Sequence, residues 1–154
     1  MMRRMATALV ALVGLFVALY LWMYKAGFIG ALACGAGQCE TVQMSRWATL
    51  LSLPVAAWGV GFYAAVLVVA FLLVQDRFEG SKSLSLSLVL LTAWGVIFSA
   101  WLTYVELFVI HAICRWCVVS AVIACVLFAL ALWDWRSARR NETRVAQEDE
   151  TRVV

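Results

Sequence analysis

Apolar residues in this chain come in long unbroken runs rather than at alternating or helical intervals. Residues 6–24, 47–75, 83–105 and 116–133 contain no charged side chain. A hydrocarbon layer of about 30 Å takes roughly 20 helical residues to cross, so 6–24, 83–105 and 116–133 each predict one membrane span. The run 47–75 is too long for one straight span, and Pro54, the only proline, divides it. Residues 47–53 then read as a short interfacial segment with Trp47 at headgroup depth. Pro54 falls at the first turn of the following helix, where its missing N–H costs nothing. Gly59 and Gly61 in that helix predict close approach of a neighbouring helix.

Polar segments separate the runs. Residues 25–46 form a first loop with Cys34, Cys39, Glu40 and Ser45, in which Gly35 and Gly37 supply tight turning. Residues 75–83 carry Asp76, Arg77, Glu79, Gly80 and Lys82 and must turn outside the bilayer. Ser83, Ser85 and Ser87, entering the third span, are expected to bond back to their own helix's carbonyls. Glu106 and His111, the only histidine, lie at the far end of that span; Trp133 and Trp135 form an interfacial belt at the end of the fourth. The fold class expected is an all-α integral membrane protein. It is a four-transmembrane-helix bundle with a short outer loop or half-helix between helices 1 and 2. Residues 1–135 make the membrane domain, and residues 136–154 a charged cytoplasmic tail expected to be disordered.

Composition agrees. Of 154 residues, 66% are hydrophobic and 14% charged, with a mean hydropathy of +0.94, whereas soluble domains use about 45–50% apolar residues. A net charge of +3 with no basic patch interleaved with aromatics excludes nucleic acid as a partner. A basic start before an apolar run also fits a signal peptide, and Ala31-Leu32-Ala33-Cys34 looks like a lipoprotein cleavage box. That run is longer than the roughly 7–15-residue apolar core of a signal peptide, and membrane-like sequence continues far beyond Cys34.

Charge sets the orientation. One face carries Arg3, Arg4, Arg77, Lys82, Arg136, Arg139, Arg140 and Arg144; the other carries only Lys25, Arg46 and Arg115. The positive-inside rule then puts both termini in the cytoplasm and both cysteine pairs on the oxidising outer face.

The chemistry rests on four of the five cysteines. Cys114-Arg115-Trp116-Cys117 is a C-x-x-C motif at the mouth of the last helix. Thiols three apart in a helix share one face, near disulfide geometry. The positive end of the helix dipole and Arg115 both favour thiolate. A static staple, a Cys₄ metal site and a redox pair all fit the motif. A tight helical bridge closes almost no loop, which makes a staple of little value; an oxidising exterior disfavours metal. Two pairs on one face suggest a relay, the loop pair meeting a soluble partner and the helix-mouth pair meeting a lipid-soluble acceptor such as a quinone. Trp47, Phe62, Tyr104, Phe108 and Trp116 are candidate stacking walls for its ring. Glu106 and His111 are candidates to handle protons or bond a quinone oxygen. Cys125, alone in an apolar run, is expected to behave as a small hydrophobe.

These residues also carry a resemblance. Residues 25–121 resemble a bacterial homologue of vitamin K epoxide reductase: the loop pair Cys34 and Cys39, Ser45, Trp47-Ala48-Thr49, Pro54, Gly59 and the run YVELFVIHAICRWCVVSA at 104–121. The resemblance implies a quinone-dependent thiol–disulfide oxidoreductase in a bacterial inner membrane, with its cysteines facing the periplasm. It implies that a separate thioredoxin-fold partner of the DsbA type exchanges with Cys34, and that Cys39 passes electrons to Cys114. Cys117 would then stand beside ubiquinone or menaquinone, with Ser45 near the active site and no metal. Arg115 departs from the family pattern, which often has proline there, and that puts the redox poise in question. A DsbB-type enzyme places its pairs in the reverse order. A non-enzymatic membrane subunit or assembly factor with structural or metal-binding cysteines is the alternative of a different class.

Overall fold

A computed structural model describes residues 2–34, 38–75 and 81–153. The glycine turn expected at Gly35 and Gly37, and the polar turn at 76–80, lie outside the described residues. Four helices are long and apolar enough to cross a membrane: α1 (Met2–Lys25), α3 (Val55–Val74), α4 (Lys82–Val105) and α5 (Arg115–Val153). Helix α1 packs against α3 and α5, and α4 against α5 and α3, so the four close into a ring with α1 opposite α4.

Small residues allow this closeness, as expected where apolar surface gains nothing by leaving lipid for protein. Ala11, Gly14 and Ala18 form the buried stripe of α1; Ala124 and Ala131 do the same on α5. A Cβ on Gly14 would strike the Tyr63 ring, and one on Gly95 the Phe62 ring. Those two glycines, rather than Gly61, are the close-approach sites. Gly59 does pack, its added Cβ meeting Ala18 at 3.4 Å, whereas Gly61 faces open space. At one end of the bundle Arg4 clamps α1 to its neighbours, its Nε 3.3 Å from Asp134 Oδ1 and its Nη1 donating to the Leu73 carbonyl at 2.7 Å. Of the serines entering α4, Ser87 bonds back to the Ser83 carbonyl at 2.8 Å, but Ser85 Oγ is buried without a partner.

The connection between α1 and α3 differs from the expectation in detail. The half-helix expected between the first two spans is α2 (Gln38–Met44), which carries Cys39, and the segment from Trp47 is largely not helical. After it come a 3₁₀ turn (Arg46–Ala48) and a minimal hairpin, β1 (Thr49–Leu50) against β2 (Leu53–Pro54), paired Thr49 to Pro54 and Leu50 to Leu53. Leu51 and Ser52 turn it with φ of 52° and 65°. Two-residue hairpins need positive φ at both turn positions and usually take Asn-Gly, so nothing in Leu-Ser signals one. Pro54 sits in β2 immediately before α3 and contributes a partner to the hairpin as well as the helix start.

Helix α4 ends in a π turn (Glu106–Ile110). His111, at φ 55° and ψ 33°, is the left-handed residue that stops it. The N–H groups of His111 and Ala112 both turn back to the Glu106 carbonyl, the latter at 3.1 Å. The last helix does not stop at the membrane. Where a disordered tail is expected after residue 135, α5 runs on as helix to Val153. The tail is rich in Arg and Glu, which lose little side-chain freedom in a helix, and α5 supplies a nucleus that an isolated segment would lack.

Candidate active site

The four cysteines of the two pairs come together. Cys34 and Cys39 are joined as a disulfide with Cα atoms 6.0 Å apart. Cys114 and Cys117 are thiols. Cys34, Cys39 and Cys114 belong to one buried cluster with Leu21, Leu32, Val42, Ala56 and Ala112, and Cys117 packs against it. Relative exposures are 4%, 1% and 0% for Cys34, Cys39 and Cys114, so the loop pair is covered rather than presented at the surface. Cys125 stands apart, exposed on the flank of α5.

Local sequence explains the placement. Cys39 lies on α2, and Val42, three residues on, shares its buried face. Cys114 takes the position just before α5, its carbonyl accepting the Val118 N–H at 3.0 Å; Cys117 follows within the first turn. Glu106, 5% exposed, accepts the Cys114 N–H through Oε2 at 3.1 Å. A carboxylate at a helix start satisfies an amide that has no helical partner and faces the favourable end of the dipole. The Glu106 carboxyl also lies within hydrogen-bonding reach of the Cys117 thiol. The Cys117 side chain, hydrogen-bonded to Cys114, holds the Cys114 thiol below the ordinary cysteine range; burial and Glu106 pull the other way, and the backbone of Cys117 and Trp116 helps to lower it.

Cys117 is also a wall of a cavity of about 590 Å³ inside the bundle, within the range of small-molecule sites. The α2–hairpin segment roofs it with Gln43, Ser45 and Trp47, and Phe62 lines it from α3. Glu106 reaches it from the π turn. Tyr63 and Ser120 both line it, the Tyr63 hydroxyl donating to the Ser120 carbonyl at 2.9 Å. The lining is overwhelmingly carbon, and one of its few polar groups, Gln43, reaches the Cys117 sulfur. Gln43 Nε2 donates to it at 3.9 Å, while the Gln43 carbonyl accepts from Lys25 Nζ at 2.5 Å. Ser45 Oγ is turned to the Val42 carbonyl at 2.7 Å and closes the end of α2.

Of the residues singled out from the sequence, Ser45, Trp47, Phe62, Glu106 and Cys117 therefore line one cavity. Tyr104, Phe108, His111 and Trp116 do not. Tyr104 and Phe108, four apart, pair on the outer face of α4 and the π turn with centroids 4.8 Å apart, and are 58% and 64% exposed. His111 is exposed, its Nδ1 2.9 Å from the Leu107 carbonyl oxygen. Trp116 turns away from the cavity to Tyr20, 5.2 Å between centroids. Gln43, Tyr63 and Ser120 were not singled out. A signal existed for two of them: Gln43 is four residues after Cys39 and Ser120 three after Cys117, each on its cysteine's helical face. Among the described residues no three His, Cys, Asp or Glu side chains gather in a way that could hold a metal ion.

Residues 5–132 fit the family model described as Vitamin K epoxide reductase family. No curated protein matches the chain.

Proposed function

Since the chain belongs to the vitamin K epoxide reductase family, a family of membrane thiol oxidoreductases, we propose that it carries electrons from a reduced thioredoxin-fold partner to a membrane quinone. The observation that carries this reading is the position of Cys117. It is at once the neighbour of Cys114 in the buried cysteine cluster and a wall of the apolar cavity.

The route runs through two exchanges. A partner thiolate attacks Cys34, the Cys34–Cys39 bond breaks, and resolution by the partner's second thiol leaves the partner oxidised and the loop pair reduced. Cys39 thiolate then attacks Cys114 in its disulfide with Cys117; the Cys114–Cys117 bond breaks, and Cys34 closes on Cys39 to release Cys114. Two electrons and two protons now rest on Cys114 and Cys117. Their return to the disulfide supplies both to a quinone, which leaves as the hydroquinone. Burial of Cys39 and Cys114 in one cluster supports the middle step, because thiol–disulfide exchange needs sulfurs in contact and no competing thiol. Because Cys34 is buried, partner docking has to uncover it.

The cavity's shape and chemistry suit a quinone, either ubiquinone or menaquinone. Its apolar walls, including Trp47 and Phe62, favour a planar ring, and Gln43 presents an amide donor where a ring oxygen would lie. The distribution of Lys and Arg supports an orientation with both termini in the cytoplasm and the cysteine cluster on the outer face of a bacterial inner membrane. Residues 1–135 would carry all of this chemistry, leaving 136–154 as an appendage.

The test is a purified, membrane-reconstituted protein given a reduced DsbA-type partner and a quinone. Quinone absorbance should fall in step with partner thiols, and Cys117→Ala should abolish the change. Unaltered quinone absorbance with the unmodified chain would leave a membrane subunit with structural cysteines as the better account.

A further inference from the structure

Among the described residues Glu106 is the one carboxylate buried at the thiols, and helix capping explains only half of its contacts. One oxygen, Oε2, receives the Cys114 N–H. The carboxyl also meets the Cys117 thiol and faces the cavity. A cap alone needs an acceptor oxygen and no charge, and keeping a charge out of water without need is costly. The groups around Cys117 are complementary as well. Gln43 offers it a donor from α2, and Glu106 offers an acceptor from the π turn. Apolar walls deny the site bulk water as a proton acceptor.

We propose that Glu106 is the catalytic base of the inner pair, taking the Cys117 proton as Cys114 and Cys117 are oxidised and delivering it into the cavity. This inference rests on the reading that the cavity receives the electron acceptor. The balance is simple. The reduced pair holds two protons, and the easier one leaves Cys114, whose thiol is held below its ordinary range. The second stays on Cys117 until the electron pair leaves; its S–H bond then breaks, the Glu106 carboxylate becomes the acid, and the Cys114–Cys117 bond forms. The two electrons reduce the quinone, Glu106 returns its proton to one quinone oxygen and is ionised again, and the proton shed to solvent by Cys114 is matched by one taken up from solvent at the other oxygen, which completes the hydroquinone. The π turn matters here because it carries Glu106 at the last position before the chain reverses through His111 into α5.

Among the described residues, the titratable groups facing Glu106 are Cys114 before α5 and Cys117 on it. From α1, the Lys25 ammonium stands behind Gln43. On α3 the nearest titratable group lining the cavity is Tyr63, turned to Ser120.

The test follows a single turnover of the full-length protein, reduced beforehand, with a water-soluble quinone analogue and no thiol partner, between pH 6 and pH 9. Glu106→Gln keeps an oxygen for the Cys114 N–H but cannot take a proton. It should react about a hundredfold more slowly near neutrality, with a rate that climbs with pH as hydroxide replaces the base. Glu106→Asp should keep the unmodified protein's pH profile at reduced rate, which guards against misfolding of the Gln variant. Equal rates for Glu106→Gln and the unmodified chain would overturn the inference, as would a loss of rate identical at every pH. An unmodified chain that never oxidises its inner pair with the quinone would instead overturn the proposed function.

Discussion

Tyr63 on α3 reaches Ser120 on the diagonally opposite α5, its hydroxyl 2.9 Å from the Ser120 carbonyl oxygen and 2.8 Å from the Ser120 hydroxyl. Ser120 lies one helical turn beyond Cys117, so this bridge borders the cavity on the cysteine's own face of α5. Tyr63→Phe keeps the ring and removes the bridge. It should cost about 1 kcal/mol of stability, the usual net value of a hydrogen bond, read as a lower thermal midpoint in detergent. Cys117 chemistry should persist, and a change in the yield of the Cys34–Cys39 disulfide would argue against so local a role.

Two glycines make opposite predictions from the same substitution. A Cβ at Gly14 meets the Tyr63 ring, which is 2% exposed and tethered to Ser120, so it has nowhere to go. Gly14→Ala should lose about 1–3 kcal/mol, the range for overpacking a filled core. A Cβ at Gly95 meets the outer edge of the Phe62 ring, which borders the cavity and can swing into it. Gly95→Ala should therefore leave the thermal midpoint nearly unchanged and raise the KM for quinone. Equal losses of stability in the two variants would show that the cavity gives Phe62 no room.

Gln43 stands where the roof of the cavity touches the reactive sulfur. Gln43→Leu removes the 3.9 Å donor without changing the bulk of the side chain greatly. A hydrogen bond between neutral groups is worth about 0.5–1.5 kcal/mol net, so the quinone step should slow by up to about tenfold. Exchange between the partner and Cys34 should be unaffected, because the Gln43 side-chain hydrogen bond goes to Cys117. Single-turnover rates for the two half-reactions separate these outcomes.

The Cys114 thiol gives a pH signature. Its folded-state pKa is lowered, chiefly by the hydrogen bond from Cys117, while an unfolded thiol ionises near about 8.5. Between those values the unfolded state binds more protons, so stability of the reduced protein must rise with pH across that window. The contribution is fully present above the unfolded value and disappears as pH falls through the folded one. Thermal midpoints of the reduced protein should climb from neutral pH towards about 8.5, and Cys114→Ser should flatten the climb.

Much of this molecule is legible in one dimension because a bilayer imposes a one-dimensional rule. Each crossing must satisfy its own backbone hydrogen bonds and offer lipid an apolar length, so runs such as 6–24 and 116–133 predict α1 and the start of α5 without reference to any neighbour. The C-x-x-C at a helix mouth and the paired loop cysteines are equally local signals. What sequence alone could not supply is facing. Tyr104 and Phe108 looked as suitable for a ring-binding wall as Trp47 and Phe62. They point outward because one helical face can serve only one side, and that face of α4 was given to Ser99, Leu102, Thr103 and Glu106. Leu51-Ser52 carries no turn signature, yet the hairpin it closes completes the roof, since contacts such as that of Trp58 Nε1 with the Leu50 carbonyl at 3.3 Å hold what propensity does not. The convergence of Glu106, Gln43 and Cys117, from a π turn, a seven-residue helix and a helix start, is likewise decided by packing alone. Length and oiliness determine where the chain crosses; only the closed ring of helices determines which of its polar atoms meet.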